Sequence, residues 1–63
     1  MPPLPTSGTR IIFDREPLCS YASAGRVYVV DVRPQDADVR LTNPETGSSC
    51  HVRKRHMTGW RLA

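Results

Sequence analysis

A chain of 63 residues forms one domain at most, and domains near this size bury only about 60% of the surface their unfolded chains expose. Its apolar fraction of 38% lies below the roughly 45–50% usual for globular chains, on a count that also includes Gly. A core this small supplies about 3–5 kcal/mol, so the walls of an enclosed catalytic cleft are excluded and self-association is an expected source of added stability. The net charge is +3, yet residues 1–31 balance three cations (Arg10, Arg15, Arg26) against three anions (Asp14, Glu16, Asp31), which leaves the whole excess to the second half.

Residues 1–9 hold Pro, Ser, Thr and Gly with Leu4 as their one large aliphatic side chain. They bury too little surface to offset the entropy of ordering and are expected to form a flexible, extended or disordered tail. Pro2-Pro3-Leu4-Pro5 suits polyproline II, although a solvated tail accounts for the same composition. No basic segment followed by an apolar run opens the chain, so no secretory signal is read there. The longest apolar stretch, Val27-Tyr28-Val29-Val30, is far short of the ~20 residues of a membrane helix. A cytoplasmic protein with no membrane partner and reduced cysteines is expected.

The folded domain is expected over residues 10–63. Arg10-Ile11-Ile12-Phe13 reads as a first strand, ended by Asp14-Arg15-Glu16-Pro17, because Pro lacks the N–H a ladder uses. Residues 18–24 are open between a loop and one helical turn. From Arg26 to Arg33 the pattern alternates, with Tyr28, Val30 and Val32 on one face and Val27, Val29, Asp31 and Arg33 on the other. After Pro34-Gln35-Asp36, the residues Ala37, Val39 and Leu41 form an apolar face opposite Asp38, Arg40 and Thr42. Asn43-Pro44-Glu45-Thr46-Gly47 is a turn. A fourth strand is expected with Cys50 and Val52 inward and His51, Arg53 and Arg55 outward. Met57-Thr58-Gly59 turns the chain into a last strand at Trp60-Arg61-Leu62. Six prolines and four glycines leave little room for a long helix, and the fold class is all-β.

This order of strands and loops resembles the SH3-like small barrels in their Tudor, KOW or Sm-like forms. The likeness is carried by Gly25-Arg26-Val27-Tyr28-Val29-Val30, the Asp38–Thr42 strand, the Asn43–Gly47 hairpin and Met57-Thr58-Gly59-Trp60. It implies a small five-stranded SH3-like barrel and, being architectural, no particular function. Very short basic barrels of this kind also resemble accessory proteins of phages and mobile elements.

No enzyme and no cofactor are expected. Cys50 and His51 are adjacent and point to opposite faces of a strand, so they cannot act as a nucleophile and its base. Walker, dinucleotide and nucleophile-elbow glycine patterns are missing from the sequence. Cys19, Cys50, His51 and His56 match a tetrahedral zinc site in number, but Cys19 has no ligand near it, whereas true sites show close pairs. No metal is therefore expected. A Cys19–Cys50 bridge suits a small fold and is opposed by the expected compartment.

The strongest functional signal is His51-Val52-Arg53-Lys54-Arg55-His56. Outward residues of a strand recur every ~6.5–7 Å, close to the phosphate spacing of a nucleic-acid strand, and Arg suits phosphate. The leading expectation is a nucleic-acid-binding module, for DNA or RNA. Arg53, Lys54 and Arg55 would contact phosphates, with Arg40, His51 and Arg61 at their flanks. The same strip equally serves as a charged edge that prevents aggregation. The alternative is a protein-interaction module or small regulator that meets an acidic protein surface. Asp31-Val32-Arg33 and Asp38-Val39-Arg40 repeat a tripeptide and are expected to give Asp–Arg contacts across paired strands.

Overall fold

The computed structural model describes residues 2–18 and 21–63. Five strands follow one another: β1 (Arg10–Phe13), β2 (Val27–Val32), β3 (Asp38–Thr42), β4 (Ser49–Arg53) and β5 (Trp60–Leu62). They form one antiparallel sheet in the order β4-β3-β2-β1-β5. The all-β expectation is borne out, with the strands close to their expected places. The sheet is open among the described residues, with β4 and β5 as its two edges.

One face of the sheet makes the core. Ile11 and Phe13 from β1, Tyr28 and Val30 from β2, Val39 and Leu41 from β3 and Val52 from β4 are all at most 5% exposed. A flat single sheet leaves its face in water, so this burial requires the sheet to coil around its own apolar side. Ala22 from the β1–β2 loop and Met57 after β4 complete the cluster, and Leu4, Val32, Cys50 and Trp60 pack at its margin. The Phe13 and Tyr28 rings meet edge-on, 6.2 Å between centroids, an arrangement favoured by ring quadrupoles.

Two sequence expectations are corrected. The first concerns β4, which stops at Arg53, after which Lys54–His56 form a 3-10 turn. After the inward Cys50 and Val52, the next inward position of a strand would be Lys54, whose ammonium cannot enter the core. The chain turns instead. Lys54 N–H donates to the Ala37 carbonyl (2.9 Å) and its Nζ donates to the Arg33 carbonyl (2.6 Å). Arg55 thus lies in the turn and not in the outward row of β4.

The second correction concerns the expected tail. Gly8 N–H donates to the Val30 carbonyl (2.8 Å), and Val30 N–H donates to the Thr9 carbonyl (3.0 Å). Gly8 and Thr9 together oppose the single residue Val30, which is a β-bulge with Gly at its left-handed position, φ 88°. The bulge prolongs the edge of β1 along β2 as far as Ser7, whose hydroxyl bonds both backbone groups of Val32. Pro5 is buried and Leu4 packs on the core. Backbone and hydroxyl bonds, which side-chain composition does not register, tie this segment to β2.

Candidate functional site

The outward face of β2, β3 and β4 gathers three of the expected contact residues. Register places Arg40 opposite His51, and Asp38 opposite Arg53. On the other side of β3, Asp31 stands opposite Arg40. These side chains surround a shallow depression of about 390 Å³, shared with Arg33, Asp36 and Ala37. Three carboxylates (Asp31, Asp36, Asp38) thereby face three guanidinium groups (Arg33, Arg40, Arg53). The charges of the face cancel, His51 aside.

Local geometry tightens the cancellation. Arg33 Nε lies 3.5 Å from Asp31 Oδ2, and Arg53 Nε lies 3.5 Å from Asp38 Oδ1. All four side chains are 40–60% exposed, so each pair adds at most about 1 kcal/mol to stability. Their effect on the surface potential is larger, because an anion approaching either arginine also meets a carboxylate. The repeated Asp-Val-Arg tripeptide does bring Asp31 and Arg40 opposite each other. The ion pairs that form, however, run from Asp31 of β2 to Arg33 just past its end and from Asp38 of β3 to Arg53 of β4.

The other expected residues are dispersed. Lys54 and Arg55 sit in the 3-10 turn, beside a second depression with Pro34, Asp36, Ala37 and Arg53. Arg61 belongs to β5, which the sheet order places beyond β1 at the opposite edge from β4. There its Nε donates to Asp14 Oδ1 at 2.9 Å. Arg61 is therefore not a neighbour of Arg53. The expected single basic strip resolves into a charge-balanced face, a basic turn and a remote ion pair.

Tyr28 and Trp60 are two aromatic side chains that the strands carry, and neither is free to stack on a base. Tyr28 is only 5% exposed and its hydroxyl accepts the Ser23 N–H (2.8 Å), while Trp60 packs at the core margin. The aromatic that sequence reasoning missed is Tyr21, 95% exposed, with Leu18 in the same loop at 69%. It lies in a segment without periodicity, where nothing in the pattern separates an exposed ring from a packed one.

The zinc set and the Cys19–Cys50 bridge both involve Cys19, which lies outside the described residues. Among the described residues no three His, Cys, Asp or Glu side chains gather into a potential metal site, and no helix is long and apolar enough to cross a membrane. Compared with protein-family models, with curated proteins and with solved structures, the chain matches none.

Proposed function

We propose that this chain is a non-enzymatic, cytoplasmic interaction module on an SH3-like frame, and that the outward face of β2–β3–β4 docks onto a folded protein. The observation that supports this reading is the charge balance of the face. Phosphate footprints on duplex DNA commonly use on the order of 6–10 contacts. Here three guanidinium groups are interleaved with three carboxylates, each of which repels a phosphate. A protein surface that carries both signs in a complementary pattern satisfies every member of the mosaic and gains register and specificity from it. The strand order β4-β3-β2-β1-β5 with one short turn before β5 supports the SH3-like part of the reading.

Nucleic-acid binding through the basic stretch retains one supporting observation. Arg55 is exposed at a turn beside the half-buried Lys54, in a stretch, residues 46–63, that contains no Asp or Glu. Set against it are Asp36, which lines the same depression, and the small number of unopposed cations.

Affinity capture from nuclease-treated lysate tests the reading, with wild type beside Asp31→Ala/Arg40→Ala. A stoichiometric protein partner retained after nuclease and lost in the double variant supports the docking face. Capture that disappears with nuclease refutes it.

A further inference from the structure

Where the β1–β2 loop meets the β3–β4 hairpin lies a further, chemically different groove of about 260 Å³, with Tyr21, Arg26, Tyr28, Asn43 and Thr46 among its walls. It goes beyond the docking face and does not rest on it. We propose that this groove binds one nucleotide unit, the base stacked on Tyr21 and the phosphate held by Arg26.

Four observations support the assignment. Tyr21 is 95% exposed, so its ring contributes nothing to the core, and an aromatic face offered beside a polar groove is what an unpaired base stacks on. Arg26 is exposed and forms no ion pair with a described residue. In contrast to the outward face, no Asp or Glu lines this groove. Glu45 of the same hairpin is not among the residues lining the groove, and its N–H donates to Asn43 Oδ1 (2.9 Å). The positive charge of Arg26 therefore acts unopposed on a phosphate.

The groove floor has donors to read a base. Asn43 is 7% exposed and uses its side-chain oxygen within the hairpin, which leaves its amide N–H groups unused by any described residue. The Tyr28 hydroxyl accepts from Ser23 and keeps its own proton to donate. Small-molecule pockets occupy roughly 300–1,000 Å³; this groove falls just below that range and suits a single nucleotide rather than a larger ligand. The same chemistry is presented by a free mononucleotide and by one residue of a single strand.

The test is an NMR titration of the 15N-labelled chain with adenosine, AMP and an oligo-dA octamer, for wild type, Tyr21→Ala, Tyr21→Phe, Arg26→Ala and Arg53→Ala. Tyr21 and Arg26 are both exposed, so their variants keep the fold, and the spectra report it directly. Signals of Tyr21, Arg26, Asn43 and Thr46 should shift, with AMP binding about tenfold tighter than adenosine. Tyr21→Ala should weaken AMP at least tenfold while Tyr21→Phe and Arg53→Ala bind normally, and Arg26→Ala should abolish the preference for AMP over adenosine. An octamer that binds at least tenfold tighter than AMP at the same residues identifies a single strand as the source, and equal affinities identify a free nucleotide. Shifts elsewhere, no shifts at millimolar AMP and octamer, or unaltered binding by Tyr21→Ala would overturn the assignment.

Discussion

The Ser7 hydroxyl holds both backbone groups of Val32, accepting its N–H at 2.8 Å and donating to its carbonyl at 2.9 Å. One side chain thus stands in for a strand residue at the end of β2, and it fastens residues that composition alone would leave in solvent. Ser7→Ala removes both bonds at an exposed position where water replaces them. The expected loss is about 0.5–1.5 kcal/mol, measured by urea denaturation, with faster hydrogen exchange at Val32. Unchanged exchange at Val32 would show that the bracket does not persist in solution.

Leu41 is fully buried, between Val30 of β2 and Cys50 of β4 in register. Truncating a buried Leu to Ala costs about 2–5 kcal/mol, comparable with the roughly 3–5 kcal/mol that a core of this size supplies. Leu41→Ala should therefore be largely unfolded at 25 °C, seen as collapse of amide dispersion in an NMR spectrum. A dispersed spectrum with a cooperative transition near wild type would mean that the stability comes from elsewhere, self-association included.

Gly59 has φ 74°, and a Cβ built there meets Arg15 Cγ at 3.0 Å. Its carbonyl also accepts the Asp14 N–H (2.8 Å), which locks the entry of β5 to the end of β1. Gly59→Ala forces a left-handed conformation on a residue with a side chain and should cost about 1–2 kcal/mol, with Arg15 displaced. Thermal unfolding of the variant checks this, and a midpoint equal to wild type would rule out the strained turn.

Much of the fold was legible because the local signals agree. Tyr28 and Val30, Val39 and Leu41, and Cys50 and Val52 repeat with a period of two, and Asn43 to Gly47 carries its own turn chemistry. Even the end of β4 is present in the sequence, as the polar Lys54 at the next inward position, within a basic run that is otherwise continuous. What local pattern could not supply is which strands are neighbours. Arg61 joins Asp14 and not Arg53 because β5 pairs with β1, a relation set by contacts distant in sequence. Likewise the cations of β3 and β4 were visible, but their carboxylate partners became visible only once register placed Asp31 beside Arg40 and Asp38 beside Arg53.

Arg61 and Asp14 are 59% and 60% exposed, so their ion pair contributes at most about 1 kcal/mol. Its place at the far edge of the sheet separates it from the docking face. Arg61→Ala should leave partner capture intact and stability within that margin. Loss of capture in a folded Arg61→Ala chain would mean that the contact surface extends around the sheet to β5.

The most direct test of the charge-balanced face is a fluorescence-anisotropy titration of labelled single- and double-stranded oligonucleotides at two salt concentrations. Wild type is compared with Arg40→Ala/Arg53→Ala/Arg55→Ala, which spares the Lys54 bond to the Arg33 carbonyl. Because Asp31 and Asp38 stand opposite Arg40 and Arg53 and Arg55 alone is too little charge to hold a duplex, the triple variant should match wild type, with no duplex binding at about 150 mM salt, the regime in which phosphate contacts are already screened. Micromolar duplex binding by wild type that weakens steeply with salt and vanishes in the folded variant would contradict the account and restore a nucleic-acid surface on β3 and β4.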